Sequence, residues 1–236
     1  LGGAITVKNT TFRNNSAKTD GGAVSASNAV TFEGVLIKGN STGEDGGGMT
    51  ISGKGWTLRD VVFRNNTSDG AGINVGGGGL AAEDLGFVEG DFSGRLQNVR
   101  FDSNESGEDG GAMMVSGGTY ELQNVEFIDN VTGGSFGGEG AALLNDGGMV
   151  DLVNAEVRRN DGPGGIVETK GDIDDIGTNR LVNVLLADNG TETAGSGIVL
   201  NGGNGSTTVD NVVVANNGGT GLVNSNTMTV QNSIIY

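Results

Sequence analysis

The chain has 236 residues, of which 47 are glycine, and it contains one proline, no cysteine and no histidine. Its formal net charge of −16 argues against nucleic-acid binding, because phosphates require lysine and arginine. The lack of cysteine excludes disulfides and thiolate metal sites, and no run of 18 apolar residues is present that could span a membrane.

A two-part phrase recurs along the chain and indicates a repeat architecture. Its first part is an apolar residue followed three positions later by asparagine, as in Phe12–Asn15 and Phe101–Asn104. Its second part is a glycine-rich step into a short apolar run, as in Gly21–Val24 and Gly110–Met113. Eight asparagines anchor the units at spacings of 25 to 38 residues: Asn15, Asn40, Asn66, Asn104, Asn130, Asn160, Asn189 and Asn217. Self-similarity at such a period predicts stacked units that each contact only their neighbours.

The residues before each anchor predict two short strands joined by a corner. In the unit ending at Asn130, Leu122 and Asn124 share one parity, whereas Val125 and Phe127 share the other. Because strand side chains alternate with period two, this slip marks a corner, and asparagine tolerates the left-handed conformation that a corner needs. The corner positions are Asn9, Asp60, Asn98, Asn124, Asn154, Asn183 and Asn211, with Gly34 as the exception.

A third strand is predicted after the glycine-rich step of each unit. The pairs expected to share its inner face are Val24 and Ala26, Met49 and Ile51, Ile73 and Val75, Met113 and Val115, and Ile198 and Leu200. Three short strands per unit, without helical periodicity, predict an all-β fold: a single right-handed parallel β-helix (solenoid) of about nine three-strand coils. In such a solenoid, phenylalanine, leucine and asparagine form ladders along the axis, and the stacked asparagine amides hydrogen-bond one another.

The predicted organisation is one β-helix repeat domain over residues 1–236, with loop insertions near 76–94 and 169–180 where the period breaks. Insertions in repeat proteins form loops on one face, often the binding face. The repeat phrase is present at both ends, so we expect an excerpt of a longer or processed chain. Open solenoid ends expose unpaired strand edges. The partners expected there are adjoining repeats, or copies of the chain stacked head-to-tail into a filament.

The paired phrases resemble the repeats of the polymorphic outer-membrane proteins of chlamydiae and of related bacterial and algal surface proteins. The matching phrases are Gly2–Ile5, Gly21–Val24, Gly110–Met113, Phe12–Asn15, Phe63–Asn66, Phe101–Asn104 and Phe127–Asn130. The resemblance covers essentially the whole chain, and it implies a pectate-lyase-like β-helix in a secreted passenger that acts as an adhesin. Later units depart from the pattern, at Gly195–Ile198 and Gly219–Leu222.

Acidic residues among glycines provide the candidate metal sites, because calcium binds several oxygen ligands. The densest cluster is Asp172, Asp174 and Asp175, in which the first two share one face of an extended strand. Glu44–Asp45 and Glu108–Asp109 occupy the same position in two units. The alternative for each cluster is a solvated acidic turn. The fold requires no cofactor, and calcium is the candidate that the composition suggests.

The residues favour a structural or adhesive role over catalysis. Enzymes that cleave polysaccharides place paired carboxylates, or a carboxylate with a basic residue, on one face. No such constellation is shared by adjacent units, so no catalytic residue is assigned. We expect an extracellular or cell-surface protein whose partners are surface glycans or a cell-surface receptor. The alternative is a carbohydrate-binding or polysaccharide-cleaving β-helix, because fold alone does not decide function.

Overall fold

The computed structural model describes residues 4–69, 76–83, 93–133, 138–170, 177–191, 197–202 and 204–236. These residues form a parallel β-solenoid with three sheets and without helices, which confirms the predicted fold class. Every paired strand among them is parallel to its neighbour, and each pairing joins one coil to the next.

The first sheet forms one long wall of the solenoid, and its strands bend in the middle. Its main path contains β1 (Ile5–Lys8), β5 (Val30–Glu33), β9 (Trp56–Arg59), β13 (Ser93–Asp102), β16 (Thr119–Ile128), β19 (Met149–Arg158), β22 (Thr178–Ala187), β25 (Ser206–Asp210) and β28 (Thr227–Gln231). Where the bend interrupts the strand, the second half is separate, as in β2 (Thr11–Arg13), β6 (Leu36–Lys38), β10 (Val62–Arg64), β26 (Val213–Ala215) and β29 (Ile234–Ile235).

Two further sheets close the solenoid. The second consists of two-residue strands: β3 (Ser16–Ala17), β7 (Ser41–Thr42), β11 (Thr67–Ser68), β14 (Glu105–Ser106), β17 (Val131–Thr132), β20 (Asp161–Gly162) and β23 (Gly190–Thr191). The third follows the glycine-rich step: β4 (Val24–Ala26), β8 (Met49–Ile51), β12 (Leu80–Glu83), β15 (Met113–Ser116), β18 (Leu143–Asp146), β21 (Val167–Lys170), β24 (Gly197–Asn201) and β27 (Thr220–Asn224).

The bend in the first sheet lies at the predicted corner residues. All seven predicted asparagine and aspartate corners have positive φ, between 49° and 55°, and Gly34 has φ 63°. A second left-handed residue, which the sequence did not predict, directly precedes each anchor asparagine, beginning with Asn14 before Asn15. At this second corner the residue type varies and includes Ser103 and Arg159, so the side chains there show no pattern that marks the conformation.

Inward-facing side chains stack in the predicted ladders. Phe63, Phe101 and Phe127 are in register and fully buried, with successive ring centroids 4.9 Å and 5.1 Å apart. Leu96 and Leu122 are likewise paired and buried. Offset stacking at these distances adds to the free energy gained by burying the rings.

The anchor asparagines form the predicted buried ladder. From Asn15 to Asn189, the Nδ2 of each anchor donates to the Oδ1 of the anchor in the following coil at 2.9–3.0 Å, and Asn217 is the last acceptor. The same Oδ1 accepts the backbone N–H of the preceding anchor. The ladder therefore satisfies polar groups that would be costly to leave unpaired in the interior.

Two strand assignments from the sequence are wrong. The third-sheet strand of the third coil is Leu80–Glu83, in register with Met49 and Met113, rather than a strand at Ile73 and Val75, which lie outside the described residues. Residues 76–83 and 93–94 of the predicted insertion therefore belong to the solenoid, and its residues 84–92 lie outside the described residues. The run of four glycines at 76–79 is the true step into the strand. In the strand at 197–201 the predicted register is wrong by one residue. Val199 and Asn201, rather than Ile198 and Leu200, pair with Val167 and Thr169.

The solenoid has about six coils rather than the predicted nine. The prediction counted one complete coil for each asparagine anchor and one partial coil at the end. In the described residues after Thr191 the second sheet has no further strand, so the last coils contain strands of the first and third sheets only.

Candidate binding groove

A groove of about 500 Å³ runs along the solenoid where the first sheet bends. Four exposed corner asparagines line it, one from each of four successive coils: Asn124, Asn154, Asn183 and Asn211. Their left-handed backbone ends the first half of each strand and begins the second, so the groove follows directly from the corner positions in the sequence. We call it the asparagine groove.

The four asparagines of the groove are joined by their own side-chain amides. Asn124 Nδ2 donates to Asn98 Oδ1 at 3.0 Å, Asn154 to Asn124 at 3.4 Å, and Asn183 to Asn154 at 3.0 Å. Asn211 donates in the same way to Asn183. These hydrogen bonds align the amides in one row along the axis.

The wall beside this row changes character along the groove. Glu126, Glu156, Leu185 and Val213 occupy equivalent positions in successive coils, so two carboxylates are followed by two aliphatic side chains. Glu126 Oε2 lies 2.7 Å from Arg100 Nη1, and Glu156 is paired with Arg158. The ion pairs hold both carboxylates on the surface, where exposed pairs contribute little to stability.

A pair of carboxyl groups lies beside the third sheet, away from the groove. Asp45 precedes β8, and its Oδ1 accepts the N–H of Gly76 at 2.7 Å. Glu83 ends β12 and shares a hydrogen bond with Asp45. Burial raises the pKa of Glu83 to about 7, and the charges of Asp45 and Asp20 add to the increase. Burial also raises the pKa of Asp45 to about 6, so the pair retains a proton in mildly acidic solution.

A second acidic group lies further along the same side. Lys170 is paired with Glu139, and its Nζ lies 3.8 Å from Asp109 Oδ2. Asp109 Oδ1 accepts the N–H of Glu139 at 2.9 Å, and burial raises the pKa of Asp109. Glu168 is only 3% exposed and accepts the N–H of Gly165 at 3.0 Å, and burial raises its pKa to about 7. Asp109 and the Lys170–Glu139 ion pair therefore join neighbouring coils, whereas the bond between Glu168 and Gly165 lies within one coil.

The predicted calcium ligands Asp172, Asp174 and Asp175 lie outside the described residues, so that site stays a prediction. Within the part of the chain that the structure describes, no three acidic side chains come together in an arrangement that could hold a metal ion. Asp45 and Asp109 do lie at equivalent positions, as the sequence predicted, but each uses its carboxylate to accept a backbone N–H.

The sequence marked the groove asparagines as corners but did not identify them as a surface. Period-two parity locates each corner, yet only the strand register shows that four corners are aligned and exposed. Glu83 was assigned to an insertion, and its pairing with Asp45 joins residues 38 positions apart. No local pattern signals that contact.

No family model, curated protein sequence or solved structure matches this chain. Among the described residues, no helix has the length and apolar character needed to cross a bilayer. The class that the structure defines is therefore a parallel β-solenoid with three sheets.

Proposed function

We propose that this chain is a structural and adhesive repeat protein of the cell surface or extracellular space, with the asparagine groove as its binding face. The observation that supports this role is the row of exposed amides at Asn124, Asn154, Asn183 and Asn211 along one wall of the solenoid. A long, open groove suits an extended partner that contacts several coils at once. Its partners are surface polymers or a receptor.

The internal ladders support the structural half of the proposal. Buried asparagine and phenylalanine ladders connect each coil to its neighbours. Because each coil is bonded to the next through the first and third sheets, and in most coils through the second as well, the groove asparagines keep a fixed spacing. A rigid row of binding groups loses little conformational entropy when it engages a partner.

The repeat phrases support an extracellular location. The Gly-Gly-Ala and Phe-x-x-Asn phrases resemble those of polymorphic outer-membrane proteins, and Phe63, Phe101 and Phe127 of these phrases occupy the same buried position in successive coils. On this proposal the chain is a repeat region of that kind. Head-to-tail stacking of copies into a filament stays a prediction, and electron microscopy of particle lengths would measure it.

The chemistry of the groove supports binding rather than cleavage. Its carboxylates, Glu126 and Glu156, are each held by an arginine. The carboxyl pair with a raised pKa, Asp45 and Glu83, does not line the groove. Polysaccharide cleavage remains the alternative function, and it would use a different face of the solenoid.

The proposal is tested by coating beads with the protein and measuring their retention on immobilised mucin, collagen, cellulose and chitin. Because the chain lacks cysteine, a Glu156→Cys variant can be labelled with a polyethylene glycol maleimide at the groove alone. We expect the unlabelled protein to adhere to at least one surface, and the label at position 156 to abolish that adhesion.

A matched control is the Lys18→Cys variant carrying the same polymer, because Lys18 is exposed and does not line the groove. It should adhere like the unlabelled protein. Adhesion to none of the surfaces, or adhesion that the label at position 156 leaves intact, would count against the proposal.

A further inference from the structure

We infer that the asparagine groove binds a neutral linear polysaccharide, whose hydroxyl groups are recognised by the row of side-chain amides. The inference rests on the proposed function for the presence of a ligand in the groove, and it names the chemistry of that ligand. It follows from three features: the hydrogen-bonding capacity of the amides, their spacing and the charge of their surroundings.

The amides retain capacity for a ligand. An asparagine side chain has two N–H donors and an oxygen with two lone pairs. Within the row, Asn154 uses one N–H toward Asn124 and one lone pair toward Asn183. One donor and one acceptor are left at this exposed position. A sugar hydroxyl also donates and accepts at a single oxygen, so it can satisfy both groups together.

The spacing of the amides suits a sugar chain. Parallel strands lie about 4.8 Å apart, and this separation is comparable to the length of one pyranose unit in an extended polysaccharide. A peptide advances about 3.3 Å per residue, so its backbone groups fall out of step with the row after one or two residues. Four amides span about 14 Å at this spacing, which corresponds to three or four sugar units.

The charge of the surroundings favours a neutral chain. The protein carries a net charge of −16, and Glu126 and Glu156 line the wall beside the amides. The net charge of the protein would repel an anionic polysaccharide, whereas Arg100 and Arg158 offset the charges of Glu126 and Glu156 locally. Further along the groove, Leu185 and Val213 are half-buried aliphatic side chains. They can cover the C–H faces of sugar rings while the amides bind hydroxyls.

The experiment is calorimetric titration of the protein with cellohexaose, chitohexaose, xylohexaose and mannohexaose, with hexagalacturonate as the anionic comparison. We expect at least one neutral hexasaccharide to bind and hexagalacturonate not to bind. For the neutral sugar that binds, affinity should rise from the disaccharide to the tetrasaccharide and then level off, because the row covers three or four units.

Variants test whether the amides carry the binding. Asn124→Gly, Asn154→Gly and Asn183→Gly together remove three amides, while glycine keeps the left-handed backbone, and we expect Kd to rise at least tenfold. The control replaces Asn14, Asn65 and Asn216 with glycine, because these exposed left-handed asparagines lie outside the groove. It should bind within twofold of the wild type.

Three results would overturn the inference: no binding of any neutral hexasaccharide, preference for hexagalacturonate, or an unchanged Kd in the groove variant. They are distinguishable from failure of the proposed function. If beads still adhere to collagen through the groove while no sugar binds, the adhesive role stands and the ligand is a protein. If no surface is bound at all, the proposed function itself fails.

Discussion

Asparagine occupies two rows in this solenoid, and the same side chain has a different role in each. In the buried row, Asn104 Nδ2 donates to Asn130 Oδ1 and to the carbonyl of Phe63, and its Oδ1 accepts the backbone and side-chain N–H groups of Asn66. In the exposed row, Asn98 supplies a left-handed residue with φ 54°. Burial therefore decides which property of asparagine matters at each position.

We expect Asn104→Ala to lower the free energy of unfolding by roughly 3–5 kcal/mol. The substitution leaves the N–H groups of Asn66 and the carbonyl of Phe63 without partners, and each unsatisfied buried group costs about 1–3 kcal/mol. Urea unfolding followed by circular dichroism measures the change.

The matched control for this prediction is Asn98→Gly. Glycine adopts the left-handed conformation without strain, and Asn98 is exposed, so we expect a loss below about 1 kcal/mol. Similar losses for the two variants would show that the buried hydrogen bonds of the ladder do not stabilise the fold.

Stacked strands derive much of their stability from like side chains in successive coils. Phe101 lies between Phe63 and Phe127, and all three are fully buried. A large side chain lies opposite a small residue where β9 and β13 begin. There Gly94 leaves space for the ring of Trp56, because a Cβ on Gly94 would lie 2.1 Å from a carbon of that ring. Ladders thus tolerate a large residue where the next coil contributes a small one.

We expect Phe101→Ala to destabilise the protein by roughly 3–5 kcal/mol, as truncation of a buried aromatic leaves a cavity between two rings. Phe101→Leu keeps most of the volume and should cost less than about 1.5 kcal/mol. Fluorescence of Trp56, the single tryptophan and 1% exposed, reports unfolding. A near-zero effect of the alanine variant would contradict the inward position of Phe101 in the stack.

The strands show what sequence periodicity can and cannot predict. Alternation and its parity slip located the corner at Asn124 because both depend on residues adjacent in the chain. The strand at Leu80–Glu83 was misplaced because two glycine-rich steps, before Ile73 and before Leu80, are equally compatible with a third strand. The groove could not be predicted, since it depends on which corners are aligned between coils.

At the scale of the whole molecule, three buried carboxyl groups make the stability depend on pH. Burial raises the pKa of Glu83 and of Glu168 to about 7 each, and that of Asp45 to about 6. The folded state therefore binds more protons than the unfolded chain between about pH 4.5 and 7. Because stability falls with pH wherever the folded state binds more protons, this stabilisation is complete below about pH 4.5 and is lost as pH rises through 7.

We expect the melting temperature to be at least about 5 °C higher at pH 5 than at pH 8, since 1 kcal/mol corresponds to about 2–4 °C in a domain of this size. Glu83→Gln removes one titrating group while keeping its shape, so the difference between the two pH values should shrink. Glu121→Gln changes net charge equally at an exposed position and should retain the full difference. A melting temperature that rises toward pH 8, or equal profiles for the two variants, would show that the buried carboxyl pair does not control stability.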